Sequence, residues 1–445
     1  MTRSSDTGVV GSTGADPVRA LSQPKVEPTD VLHLLCAGVT LLFENGQTTE
    51  RVISAATRLG AALGYSAIVL PRWGEVSIRI DGPADRRQEI IAATPAGVDM
   101  HRVVATIRTI DDLCESRIDA AAARSSFDAI TRYPPVGVTR FASFAAAGAA
   151  ALGVIFGVSH WTSLILIALS AGIGACLRRR LGGMSHNLFV QPFSAALLAG
   201  IVGAVAFRLQ FSSALRLVAV CPCMVLVPGP HLLNGAIDLV RGRVPLGASR
   251  IGYAGLIILM ICIGLLVGLA LGGVNLPASG PSSSVPLGYD VVAAGVAVAA
   301  YGTFFAMPWR MLPIPMLIGM LAHTCRWLVI TVGGGSVETG ALVACLVVGI
   351  IVTPVASRLR LPFAAFGFAS VVSLIPGLYL FRMAGGLVAL MAPGERASPD
   401  LLLSTVTDGV TASLILLAMA FGLIAPKMLI EHFRPSMGGA GKPPL

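Results

Sequence analysis

At 445 residues, with 55% hydrophobic and 12% charged residues and a mean hydropathy of +0.79, the chain is too apolar for a soluble globule of its size and has the composition of a polytopic membrane protein. The net charge of +9 is uneven: residues 1–135 carry 14 Lys and Arg against 16 Asp and Glu, residues 136–445 carry 18 against 7. The basic excess therefore lies in the apolar part, where it reports orientation and lipid head groups and argues against a nucleic-acid partner.

Residues 1–28 are rich in Ser, Gly, Pro and Asp and lack an apolar h-region, which predicts a disordered tail, no cleavable signal peptide and a following domain that stays in the cytoplasm. Residues 29–132 read as a small α+β domain. Apolar residues at helical spacing on either side of Asn45-Gly46 predict two helices and a turn, and "SAIVLPRWGEVSIRI" predicts a β-hairpin turning at Pro-Arg-Trp-Gly. The segment from Gly97 to Pro135 predicts a strand, a turn and a long polar helix. Cys114, His101 and Asp111 lie in it, but their spacing fits no nucleophile motif.

Ten apolar segments near the bilayer-spanning length of about 20 residues come next, at 136–158, 161–177, 188–207, 217–239, 251–273, 286–306, 314–332, 338–356, 363–387 and 401–425. With the N-terminus inside, the inner loops and tail hold 12 Lys and Arg and the outer loops only Arg208, Arg216, Arg382 and Arg396. The positive-inside rule thus predicts that both termini are cytoplasmic, with residues 431–445 a cytoplasmic tail. The eight cysteines are scattered, as in a reducing compartment, and need no disulfides.

Two apolar segments are broken by Pro-Gly. Leu226, Pro228, Gly229, Leu232 and Leu239 recur, 148 residues on, as Leu374, Pro376, Gly377, Leu380 and Leu387. The membrane part therefore reads as two five-helix units, 133–280 and 281–430, with the break in the fourth helix of each. Five crossings are odd, so the second unit enters from the opposite side and the repeats are inverted, with both breaks near the midplane. Proline removes a donor and glycine permits a turn, freeing backbone groups that survive only against protein or a wet cavity. A single such break reads as a simple kink; a matched pair reads as a solute site.

His231 and Asn234 after the first break, and Tyr379 and Arg382 after the second, are candidate substrate contacts beside Pro228, Gly229, Pro376 and Gly377. Arg382 either faces a carboxylate or snorkels to the head groups. Asp408, His323, Arg326 and Asp238 are ionisable groups within apolar runs. An Arg326–Asp408 pair accounts for two of them structurally; alternatively Asp408 or His323, with Asp238 a further titratable group, carries protons. Cys221-Pro222-Cys223 resembles the soft-metal site of copper-transporting ATPases, but the DKTG loop and nucleotide domain of such pumps are absent, as is a GxxxxGK[ST] loop. No metal or other cofactor is expected, and any transport must run on a gradient.

The domain order, "ENGQTTERVISAATRLGAALGY", "GVDMHRVVATIR", "RYPP", "LVPGPHLLNGAIDLVRG" and "RLRLPFAAFGFASVVSLIPGLYLF" together resemble the threonine/serine exporter family over about residues 30–425. The resemblance implies a ten-helix inner-membrane carrier with an N-terminal cytoplasmic domain that expels threonine and serine on the proton gradient; some relatives are split into two subunits and handle dicarboxylates. The family's Gly-x-x-x-x-Arg opening falls on Gly46 and Arg51, but Ile53 replaces the usual glutamate two residues on, with Glu50 on the other side. The expected partners are threonine, serine, protons and the bilayer, with homo-oligomerisation open. The rival readings are a dicarboxylate exporter of the same fold, an intramembrane hydrolase and a non-transporting scaffold; no HExxH helix or close membrane Asp pair supports the hydrolase.

Overall fold

The protein, seen in a computed structural model, is described over residues 26–82, 86–185, 187–210, 215–274, 285–358, 363–391 and 398–433. Most of the predicted disordered tail and C-terminal tail lies outside the described residues, as do Arg360, Arg396, Arg434 and Lys442.

Helices α1 (Pro28–Glu44) and α2 (Thr49–Ala62) are joined at Asn45-Gly46, as the turn signal predicts. Gly46 has a φ of +89°, and a Cβ there would sit 3.3 Å from the Gly97 carbonyl, so the position requires glycine on two counts. Strands β1 (Ser66–Arg72), β2 (Gly74–Asp81) and β3 (Arg86–Ala93) form an antiparallel sheet in chain order. Val76, Ile78 and Ile80 point into the core with Ala67 and Val69. Strand β3 has no counterpart among the predicted elements, because its polar "RRQE" start sits at an open edge where only one face is covered.

Residues 97–135 also differ from expectation. Helices α3 (Met100–Cys114) and α4 (Ala120–Thr131) stand where the sequence predicts a strand and one long helix. Local signals explain the difference: Asp99 accepts from the Arg102 amide, Asp119 from the Ala122 amide, and Val103, Ile110 and Leu113 bury one helical face despite their β-branched company.

Among the described residues beyond 137 the elements are helices: α5 (Val138–Ile155), α6 (Trp161–Met184), α7 (Val190–Arg208), α8 (Leu215–Met224), α9 (Gly229–Val240), α10 (Val244–Leu271), α11 (Leu287–Phe304), α12 (Pro313–Trp327), α13 (Val337–Arg358), α14 (Phe363–Val371), α15 (Gly377–Met391) and α16 (Pro399–Phe433). Among the described residues, 8 segments are long and apolar enough to cross a membrane, or 10 if the bent pairs α8/α9 and α14/α15 each count as one. Outward-facing Leu256, Leu259, Ile263, Leu414, Leu417 and Phe421 supply the apolar surface a bilayer needs. Every predicted span is matched by a helix or a bent pair, and the chain is a multi-pass membrane protein.

Boundaries recur at the 148-residue offset: Trp161 opens α6 and Trp309 its counterpart, Leu215 opens α8 and Phe363 opens α14, Gly229 opens α9 and Gly377 opens α15. Pairing recurs too, α7 with α10 in one unit and α13 with α16 in the other. These pairs pack backbone to backbone, the contact that small residues permit in lipid. A Cβ on Gly268 would lie 2.3 Å from the Leu197 carbonyl, and one on Gly422 would lie 3.0 Å from that of Leu342. Replacing Gly268 with Leu should therefore lower the melting temperature of the detergent-solubilised protein, at a cost of at least ~1–3 kcal/mol. Gly255, with open space around it, should accept Leu with little change.

Candidate functional site

The two Pro-Gly breaks meet. α8 bends into α9 by 62° and α14 into α15 by 46°. Both use the same tight turn: the Gly229 amide donates to the Val227 carbonyl at 2.8 Å and the Gly377 amide to the Ile375 carbonyl at 2.8 Å, each across the proline. Pro228 has φ −79° and ψ 64°, an inverse γ-turn. A Cβ on Gly229 would lie 2.8 Å from Val372 Cγ2, and one on Gly377 would lie 3.3 Å from Met224 Cγ. Met224 and Val372 are themselves 148 residues apart, so the contact is reciprocal. Between the breaks lies a cavity about the size of one water molecule, lined by Met224, Val227, Tyr301, Ser373, Ile375 and Gly377 among others. The Tyr301 hydroxyl donates to the Met224 carbonyl at 3.2 Å, satisfying one group that the first break frees.

His231, Asn234 and Asp238 point elsewhere. They line the seam between α9 and the N-terminal elements, where the Asn45–Glu50 turn docks. Thr49 Oγ1 donates to Asp238 Oδ2 at 2.9 Å, Asn234 Nδ2 donates to the Gly46 carbonyl at 3.3 Å, and Glu50 pairs with Arg241. Asp238 also faces Arg243 and Arg250, each at 3.5 Å. Arg250 is buried beside the Phe43 ring, and Trp73 of the hairpin turn packs on Tyr253, whose ring meets His231 edge-on. The Met100 amide adds a 2.7 Å bond to the Phe305 carbonyl. Gln47 Nε2, Thr48 Oγ1 and Asn234 Oδ1 are buried there without a hydrogen-bond partner.

A second polar group gathers among α11, α12, α15 and α16. Asp408 pairs with Arg382 at 3.0 Å rather than with Arg326. Arg382 is nearest because both groups sit where α15 packs on α16, while Arg326 on α12 lies within reach of Asp290 and Tyr379. Arg382 is thus neither snorkelling nor free, and its guanidinium also stands 5.9 Å from the Tyr379 ring. His323 is wholly buried, with Asp290 and Ser373 on its two nitrogens.

Sequence reasoning missed Asp290, Ser373, Thr49, Arg250 and Tyr301. Asp290 was visible as an acid in the first turn of an apolar helix, and Ser373 as a hydroxyl three residues before the second proline; the Thr49–Asp238 bond spans 189 residues and left no local signal. Cys114, His101 and Asp111 are not assembled: Asp111 bonds Arg58 at 2.8 Å and His101 stacks on Tyr133. Cys221 and Cys223 are fully buried, and the Cys223 thiol donates to the Ala219 carbonyl one turn back.

Fold and site together define a multi-pass membrane protein with paired, touching broken helices. The chain belongs to the threonine/serine exporter family: the model described as "Putative threonine/serine exporter" matches residues 34–272 and that described as "Threonine/Serine exporter, ThrE" matches residues 290–429. It is 24% identical over 359 residues to the "Probable threonine/serine exporter" of Mycobacterium tuberculosis, covering 77% of this chain and 65% of that protein. It is 24% identical over 266 residues to the "Probable succinate transporter subunit YjjP" of Klebsiella aerogenes, covering 56% of this chain and 97% of the relative. The chain therefore spans a little under two thirds of the mycobacterial relative's length. No solved structure matches.

Two outcomes check this geometry. Arg241→Glu should speed amide hydrogen exchange of residues 45–50 about tenfold or more, and adding Glu50→Arg should slow it again, because the seam loses and regains its ion pair. In the N-terminal part, burial with Glu89 alongside pushes the Cys36 thiol up to about 12, and burial raises Cys114 as well. Only about one Cys36 in ten thousand is then thiolate at pH 8, so maleimide should label it slowly until the protein is unfolded.

Proposed function

We propose that the chain is a secondary carrier that exports threonine and serine from the cytoplasm on the proton gradient, binding the solute between the two Pro-Gly breaks. The observation that carries the reading is the reciprocal contact of the breaks around a cavity, Gly229 with Val372 and Gly377 with Met224. A two-fold relation between the repeats produces such reciprocity, and five crossings per repeat make that relation an inversion, with the axis in the membrane plane. Membership of the exporter family supports the substrate class.

A small hydroxy amino acid presents a carboxylate, an ammonium and a hydroxyl. The N-termini of α9 and α15 open at the breaks and favour the carboxylate, while break carbonyls and the Ser373 and Tyr301 hydroxyls suit the other two groups. The cavity is closed here, so the cycle must open it to each side in turn. The N-terminal elements are the inner gate: their Asn45–Glu50 turn covers the α9 end of the path, with both termini in the cytoplasm of an inner or plasma-membrane carrier. Unpartnered buried polar atoms in that seam, among them Gln47 Nε2, Thr48 Oγ1 and Asn234 Oδ1, at about 1–3 kcal/mol each, keep the closed state from being too stable. Asp238, buried on the seam between Thr49 and two arginines, is a titratable hinge for it; Asp408, held by Arg382, latches α15 to α16 on the opposite side.

A dicarboxylate carrier of the same fold is the second reading, favoured by the succinate-named relative. The test is efflux of labelled threonine from preloaded vesicles containing the purified protein, with and without an imposed proton gradient and with succinate and valine as competitors. Gradient-dependent efflux that serine inhibits and succinate does not is the expected result; movement of succinate alone would replace the substrate, and movement of neither would remove the carrier reading.

A further inference from the structure

The second repeat holds a hydrogen-bonded chain that the first lacks. His323 of α12 meets Asp290 Oδ2 of α11 through Nδ1 at 3.1 Å and Ser373 Oγ through Nε2 at 3.0 Å. All three side chains are buried, and Ser373 lines the cavity between the breaks. The chain thus starts at the cavity wall and ends on a carboxylate in the first turn of α11, where a helix N-terminus favours negative charge.

At the 148-residue offset the same three positions in the first repeat are Ala142, Ala175 and Val225. The elements that carry them, α5, α6 and the turn directly after α8, lie where their counterparts do in the second repeat, so small apolar groups suffice to build this corner of the fold. Burying an acid, an imidazole and a hydroxyl there costs desolvation that packing does not demand. Arg326 behaves differently, since its counterpart is Arg178. The arginine belongs to what the repeats share; the three hydrogen-bonded groups belong to what sets them apart.

We propose that Asp290, His323 and Ser373 form the proton relay of the carrier, with Ser373 as the group that reads whether the cavity holds an amino acid. The inference rests on the proton-driven carrier reading given above. In the neutral form His323 Nδ1–H donates to Asp290 and Nε2 accepts the Ser373 hydroxyl proton. A proton arriving from the cavity bonds to Ser373 Oγ as that hydroxyl's own proton passes to Nε2, leaving an imidazolium beside the Asp290 carboxylate and a regenerated hydroxyl. The reverse transfer returns the proton to the cavity. Coupling follows from the hydroxyl's single proton: when the solute takes it, Nε2 loses its donor and the imidazole must find its proton elsewhere.

The charged surroundings fit this role. Arg326 follows one turn on along α12, and Asp290 is the anionic partner hydrogen-bonded at Nδ1 that an imidazolium there would pair with. Tyr379 of α15 lies beyond Arg326, in electrostatic reach of Arg382, Asp408 and Glu338 of α13. From α14, Ser370 turns to the Pro315 and Phe366 carbonyls, and on α11 the Tyr301 hydroxyl is committed to Met224. Among the described residues Asp290 is the carboxylate hydrogen-bonded to His323.

The same order of groups is that of a serine nucleophile, its base and an orienting acid, so the test must separate the two. Full-length protein in vesicles is assayed for labelled-threonine counterflow without a gradient, for gradient-stimulated efflux, and for the internal pH change on adding threonine. His323→Gln and Asp290→Asn should lower gradient stimulation and the threonine-induced pH change tenfold or more, while counterflow persists. Ser373→Thr should keep coupling and Ser373→Ala should lose it. The double variant Asp290→Ala with His323→Ala copies the first repeat at both positions, leaves Ser373 in the cavity wall, and should stay folded, still exchanging but uncoupled. Active wild type with variants that keep full gradient stimulation overturns the relay alone, as does a loss of coupling and counterflow in equal measure. Labelling of Ser373 by a fluorophosphonate, with hydrolysis of a threonine ester, also overturns it. A wild type that moves neither threonine nor succinate overturns the carrier reading and the relay with it.

Discussion

A proline in the middle of a membrane helix frees backbone groups that lipid cannot satisfy, and the protein places two such prolines against each other. Pro228 and Pro376 turn the chain through the same short amide-to-carbonyl bond, and the apolar side chains that shield one break, Val372 and Ile375, belong to the other. The freed Met224 carbonyl is taken by Tyr301. Each break is tolerable because its partner is there, so the bent pairs α8/α9 and α14/α15 cannot be separated without exposing polar backbone on both.

Around this centre the molecule divides into rigid and adjustable parts. The glycine-mediated contacts of α7 with α10 and α13 with α16 leave no room for sliding, since backbone meets backbone. The seam on α9 is built from long side chains, hydrogen bonds and an imperfectly satisfied polar interior. On the proposed reading the former are the frame and the latter is a gate, because polar contacts with unpaired members separate at lower cost than close-packed glycines. The asymmetry between repeats then falls where chemistry is needed: Asp290, His323 and Ser373 on one side, Ala142, Ala175 and Val225 on the other.

Much of the fold was legible because lipid imposes simple rules. Ten apolar runs, the Pro-Gly repeat and the Asn45-Gly46 turn each carry a local signal, and each appears in the structure. The N-terminal part was less legible: β3 begins with charged residues at a sheet edge, and α3 contains enough Val, Thr and Ile to mimic a strand until Asp99 is recognised as its cap. The site was only half visible. Gly377 lines the cavity and Pro228, Gly229 and Pro376 form the turns beside it, whereas Asn234 and Asp238 are held by the N-terminal turn, His231 packs on Tyr253 and Arg382 is held by Asp408. Proximity to a break along the chain does not give direction around a helix, and pairings across 189 or 50 residues, Thr49 with Asp238 and Ser373 with His323, leave nothing in sequence spacing to find them by.

The central claim, that transport requires the two breaks to part and close again, is best tested by locking them. A Cβ on Gly377 would stand 3.7 Å from Met224 Cβ, within the range of disulfides. Met224→Cys with Gly377→Cys, in a background without the native cysteines, should cross-link on oxidation, with threonine slowing the reaction. Threonine efflux should stop when the bond forms and return on reduction. Full efflux from the cross-linked protein would contradict the claim, for the solute would then be passing where the breaks never open.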